Sequence, residues 1–121
     1  MKRSELNAWL AALRSNEYKQ GIGKMCYQDK EFCCLGVLRK VTGDKRTKKE
    51  KNHHEGEYRL TDTEKRRFKM NIYGETVTKE INSPIALSSL NDIEEMSFKQ
   101  IADIIESNPL IYIKKIDEDV A

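Results

Sequence analysis

Apolar residues fall at Leu6, Trp9, Leu10 and Leu13, the i, i+3, i+4, i+7 spacing that gathers four side chains on one helical face. With Ser4 as N-cap, this predicts an amphipathic helix over about residues 5–15 centred on Trp9. Ser15, Asn16 and the glycines of YKQGIGKM (18–25) end it. The next stretch, GKMCYQDKEFCC, alternates around a polar QDK turn and predicts a hairpin over about residues 23–33. From Cys34 the period changes again: Cys34, Leu35, Val37, Leu38 and Val41 share one broad helical face, and Gly43 stands where a left-handed C-terminal cap belongs. Cys33 and Cys34 are therefore expected at a strand-to-helix junction.

Residues 44–56, DKRTKKEKNHHEG, contain no apolar residue and read as an exposed, mobile basic loop that joins no core. EYRL (57–60) has strand character, and Thr61 with Glu64 forms a capping box that starts a polar helix ending near Met70. Thr76 to Ile81 alternate like a further hairpin arm, and Pro84 opens a short helical turn through SPIALSSL. The most complete helix pattern is MSFKQIADIIES. Ser97 and Gln100 make a capping box, Met96 and Ile101 a staple, and Phe98, Ile101, Ala102 and Ile105 one apolar face. Asn108-Pro109 stops it, LIYIKKI reads as an edge strand, and residues 117–121, DEDVA, as an acidic tail that frays. Together these elements predict a single α+β domain with a small antiparallel sheet and packed helices.

Charge alters this picture. Residues 1–70 hold 18 Lys/Arg and 10 Asp/Glu (+8), and residues 71–121 hold 4 and 10 (−6). A second half folded back on the first would neutralise the basic half internally, which leaves nucleic acid behind other partners. No apolar run approaches the length of a membrane span and no secretory leader pattern opens the chain, so a soluble, intracellular protein is expected.

Three cysteines, Cys26, Cys33 and Cys34, lack the spacing of a disulfide framework or a zinc knuckle, and His53-His54 lie in the lysine-rich loop. A thiolate at a helix N-terminus would be nucleophilic, but a base must be held within reach of it, so core packing is the preferred reading of both junction cysteines. No metal, cofactor or catalytic residue is assigned. YKQGIGKM offers a different chemistry: two glycines flanking one residue let successive backbone N–H groups turn toward an anion, and Lys24 adds charge. It is not a Walker loop, which needs G-x4-G-K-[ST]. In LSSLND, Asn91 and Asp92 follow an apolar stretch and are placed to close a turn or line a pocket.

WLAALRSNEYKQGIGKM, EFCCLGVL and LNDIEEMSFKQIADIIE together resemble a family of small uncharacterised proteins of tailed phages and prophages, with blocks W-x-x-A-L-R-S-G-x-Y-x-Q-G-x-G, Y-C-C-L-G-V-L-C, L-N-D and S-F-x-x-I-A. This chain departs from those blocks at Asn16, where glycine is usual, and at Arg39, where many relatives carry a third cysteine. The second departure counts further against a metal site. The resemblance implies a phage protein in the host cytoplasm and groups the QG-x-G turn, the Cys-Cys junction and Asn91-Asp92 into one constellation.

The expected function is non-enzymatic: an accessory protein that counteracts host defence by binding, with sequestration of an anionic, nucleotide-like signal as the leading form. The candidate ligand residues are Arg14, Tyr18, Gln20, Gly21, Gly23, Lys24, Asn91 and Asp92. The alternatives are an inhibitor that covers a host protein surface and a small enzyme acting on a phosphorylated substrate. A homo-oligomer is compatible with each.

Overall fold

The computed structural model describes residues 1–52, 57, 59–71, 87–92 and 94–119; the expected hairpin arm at 76–81 and the Pro84 turn lie outside them. The chain forms one small α+β domain. Its described elements are α1 (Arg3–Arg14), β1 (Lys19–Gln20), β2 (Cys26–Tyr27), β3 (Glu31–Phe32), α2 (Cys34–Thr42), α3 (Lys48–Asn52), α4 (Asp62–Phe68), α5 (Leu87–Asp92) and α6 (Phe98–Ser107).

The core is a three-helix junction. α1 packs on both α2 and α6, and α5 fills the space between those two. Leu6, Trp9 and Leu13 meet Leu35, Val37 and Leu38 of α2 and Ile101, Ala102 and Ile105 of α6, all essentially sealed from solvent. The Trp9 indole N–H donates to the Cys34 carbonyl at 2.9 Å, so the largest core side chain buries no unpaired donor. α2 ends at Gly43 and α6 carries the Ser97/Gln100 capping box, as the pattern predicts, but Gly43, with φ of 88° and ψ of 130°, has a positive φ that suits glycine without forming the expected left-handed cap.

β3 is the central strand. It pairs antiparallel with β2 in the expected hairpin and parallel with β1, so the sheet is mixed, in the order β1-β3-β2. Gln28 and Asp29 both adopt positive φ, 51° and 55°, and Lys30 N–H donates to the Tyr27 carbonyl at 3.0 Å. Two consecutive left-handed residues give the turn the twist that a tight hairpin needs.

Several segments differ from expectation. α1 begins two residues early, because the Glu5 carboxylate caps the Lys2 N–H at 3.0 Å, and Ser4 serves another partner. Its hydroxyl and its N–H donate to the two oxygens of Asp119 at 2.7 and 2.8 Å. The acidic tail therefore does not fray as far as Asp119: Glu118 pairs with Arg3, Lys69 with Asp117, and Asp117 N–H donates to Met1 O. Carboxylates gather where the unsatisfied N–H groups of α1 favour negative charge. LIYIKKI is not a strand but a 3-10 turn, Pro109–Ile111, followed by single bridges of Ile113 to Met70 and Asp117 to Lys2. Tyr112 and Ile113 spend their N–H groups on the Pro109 carbonyl, so the pairing with the chain at Met70 is limited to Lys114 N–H donating to the Lys69 carbonyl and Asn71 N–H donating to the Tyr112 carbonyl. Within the basic segment, Thr47 and Glu50 cap each other and start α3, which buries no side chain. Leu60 is buried, but EYRL contributes no strand among its described residues.

Candidate functional site

The junction at EFCCLGVL is built by contact, not by chemistry at sulfur. Cys33 is the N-cap of α2, its Sγ accepting from Gly36 N–H at 3.4 Å and lying 3.5 Å from the Met25 thioether. The Cys34 thiol points the other way, to the Leu87 carbonyl at 3.6 Å. Both are buried, and Cys26 is exposed; all three are free thiols. Gly36 is the pivot, because its backbone sits directly against the Met25 carbonyl, where a Cβ would come within 1.7 Å of the oxygen. Among the described residues no group of three metal-binding side chains occurs, and His53 and His54 lie outside them.

This junction fixes the start of the hairpin. The Met25 carbonyl accepts from Cys33 N–H at 3.2 Å, and Gly21 N–H donates to the Phe32 carbonyl at 2.7 Å, which continues the β1-β3 pairing into the QGIGK turn. Gly21 also lies against β3, where a Cβ would meet the Glu31 side chain at 3.0 Å, and Gly23 has φ of 85°. Both glycines of the motif have a backbone reason to be there.

Gln20 and Asn91 are brought together, as the grouping of motifs implies. The Gln20 side-chain amide donates to Asn91 Oδ1 at 2.9 Å and to the Met96 carbonyl at 2.7 Å, and the Asn91 amide donates to the Gly21 carbonyl at 2.8 Å. Asn91 is fully buried. The turn between α5 and α6 is closed by Met96 N–H to the Leu90 carbonyl, so the two side chains lock that turn onto β1. Both N–H groups of Gln20 are spent inside the protein.

The remaining candidates separate. Tyr18 stacks edge-on against Phe32, with ring centres 5.4 Å apart. Arg14 joins α1 to α6 through Asp103 at 2.7 Å and Glu106 at 3.0 Å, and these carboxylates raise its already high pKa, Glu106 most. Asp103 lies six residues past the Ser97 cap, about 9 Å along the helix, so Arg14 contacts a different part of α6 from Gln20. Asp92 closes α5, and its side chain lies outside the described residues.

What faces solvent is a depression of about 300 Å³ lined by Gly21, Ile22, Lys24, Tyr27 and Glu31. Lys24 Nζ lies 5.3 Å from the centre of the Tyr27 ring, and Lys19 bridges Glu31 at 3.3 Å. Of the three large apolar side chains most exposed among the described residues, two are here: Ile22 at 59% and Tyr27 at 47%. The sequence reading passed over Ile22, Tyr27 and Glu31. The available signal was Ile22 itself, an apolar residue between two glycines in a turn with no core face to join.

A second cavity, about 210 Å³, lies on the α2 side of the hairpin between Cys26, Phe32, Gly36 and Arg39, with Asp29, Lys40, Asp44 and Arg46 at its walls. Its charges are internally matched: Lys40 with Asp29 at 3.2 Å, Arg46 with Asp44 at 2.6 Å, and Arg39 in a two-point pair with Glu64 at 2.7 and 2.5 Å. Arg46 pulls the Asp44 carboxyl down to about 2. Arg39 and Glu64 are both buried, and the same Glu64 caps α4 through Thr61 N–H.

A family model described as "Domain of unknown function (DUF8296)" matches residues 1–67, from α1 into α4. No curated protein and no solved structure matches the chain.

Proposed function

The chain belongs to the DUF8296 family through the 67 of its 121 residues that match; we propose that it is a non-enzymatic phage accessory protein that counteracts host defence by covering a host protein surface with its hairpin patch. The observation that carries this reading is the coincidence of Ile22 and Tyr27, both largely exposed, on one depression rimmed by Lys24 and Glu31. An exposed tyrosine and an aliphatic side chain within a polar rim are the usual anchors of a protein interface. The phage setting rests on the resemblance of the three sequence blocks.

A second reading, sequestration of an anionic nucleotide-like signal, draws support from Lys24 beside the Tyr27 ring, which offers a face for a base and a cation for a phosphate. It has less support, because Glu31 borders the same depression and Gln20, Asn91 and Arg14 donate into the protein. The two separate in one experiment. Chain purified from its host cell is heat-denatured, and the supernatant is analysed by mass spectrometry for nucleotides. A stoichiometric nucleotide establishes sequestration and overturns the surface-covering reading. A clean supernatant with one host protein co-purifying in equal amount supports it.

A further inference from the structure

The opposite charges of the two halves largely find each other. Arg3 pairs with Glu118, Arg14 with Asp103 and Glu106, and Lys69 with Asp117, so these four carboxylates of the second half are drawn to α1 and the end of α4. One basic segment is left out of this neutralisation. Lys45, Lys48, Lys49 and Lys51 are all exposed, and none has an ion-pair partner among the described residues. The segment is also held in place. Thr47 and Glu50 cap each other, so the Glu50 carboxylate is tied to the backbone of its own turn. Arg46 is fixed by Asp44. The acidic member of the run is therefore engaged within its own turn, and the lysines face solvent on a formed helical turn.

We propose that this ridge of Lys45, Lys48, Lys49 and Lys51 is a docking surface for the phosphate backbone of a nucleic acid. The chemistry distinguishes that partner from an acidic protein. Residues 44–56 contain no aliphatic side chain beyond the lysine and arginine stems and no Phe, Tyr or Trp, so the ridge lacks the apolar anchors on which a protein interface depends. Clustered cations without an apolar anchor suit a partner whose charge is dense and regular, and attraction through counterion release needs no other contact. This surface is distinct from the hairpin patch and stands whether or not that patch covers a host protein.

The test is fluorescence polarisation of a short labelled DNA duplex of arbitrary sequence, titrated with the full chain at several salt concentrations. Four phosphate contacts predict a slope of log K against log salt near −3.6, or about a 150-fold loss of affinity between 50 and 200 mM salt. The triple variant Lys48→Glu/Lys49→Glu/Lys51→Glu is expected to bind at least tenfold more weakly. Lys30→Glu/Lys99→Glu/Lys114→Glu, with the same charge change at other exposed positions, is expected to keep most of the affinity. Thermal melting followed by circular dichroism is expected to show both variants folded, since α3 buries no side chain. The proposal is overturned if the wild-type duplex is not bound at 50 mM salt. It is also overturned if both triple variants weaken equally, which would mean that net charge alone acts, or if polyglutamate binds the ridge as tightly per charge as DNA.

Discussion

Gly36→Ala puts two physical effects in direct opposition. In an isolated helix the substitution is favourable by about 1 kcal/mol, because glycine is the costlier residue in a helix interior. Here the added Cβ would stand 1.7 Å from the Met25 oxygen and 2.7 Å from its carbonyl carbon. Reaching ordinary contact needs a shift of about 1.5 Å or more, and the obstacle is backbone, not the end of a flexible side chain. That shift would strain the Cys33 N–H bond to the Met25 carbonyl and move Leu35, Val37 and Leu38, which are packed without free space, together with the Trp9 bond to the Cys34 carbonyl. Overpacking of this kind costs about 1–3 kcal/mol or more, and a weakened buried hydrogen bond about 1 kcal/mol further. After the helix gain is subtracted, a net loss of about 1–3 kcal/mol is expected. Urea denaturation followed by circular dichroism reads it as a lower midpoint, with Lys40→Ala on the exposed face of the same helix as the control. A Gly36→Ala chain equal to or more stable than the wild type would refute the close approach, and with it the account of why CCLGVL has glycine at this position.

Breaking the buried pair by Arg39→Met is expected to cost about 3–5 kcal/mol, because Glu64 is left charged and buried. The double variant Arg39→Met/Glu64→Leu is expected to recover much of that loss in a double-mutant denaturation cycle, and no recovery would mean that the two side chains act independently. Asn91→Ala removes the donor to the Gly21 carbonyl and the acceptor for Gln20, and is expected to cost about 2 kcal/mol and to speed amide exchange at β1. Unchanged exchange there would remove the lock from the account. Acid should loosen the tail. Asp117, Glu118 and Asp119 are held below their ordinary values chiefly by hydrogen bonds from Lys69, Arg3 and Ser4. Their contribution to stability is present above the unfolded values near 3.8 to 4.5 and is lost as pH falls through the lower folded ones. NMR chemical shifts of Arg3 and Ser4 titrating together with these carboxyls below pH 4 would confirm this, and shifts that stay fixed while the carboxyls titrate would count against it.

Helical periodicity and capping boxes were legible in the sequence because they are local: α2, α4 and α6 begin and end where their own residues dictate. The hairpin was equally legible, since polar QDK carries its turn. What the sequence did not disclose depends on distant partners. Ser4 was read as an N-cap because nothing in the neighbouring residues shows Asp119 arriving from the far end of the chain. LIYIKKI has strand composition, but its backbone follows Pro109 into a 3-10 turn and makes only single bridges among the described residues. The site shows the same division. The grouping of Gln20 with Asn91 was right about proximity, but whether an amide points to a ligand or to a backbone carbonyl is decided by the α5–α6 turn, which no spacing rule describes. Asn16 is the milder case: with φ of 64° it occupies the left-handed conformation, which asparagine tolerates better than most side chains.

The claim that the hairpin patch is the working surface is tested most directly by Ile22→Asp/Tyr27→Asp, two exposed positions whose substitution leaves the core untouched. Tagged wild-type and variant chains, recovered from infected bacterial cells that carry a defence system, are compared for equimolar host protein and for plaque counts. The account predicts that the wild type retains one host partner and restores plaques, and that the folded double variant loses both. A double variant that keeps its partner and restores plaques in full would contradict it.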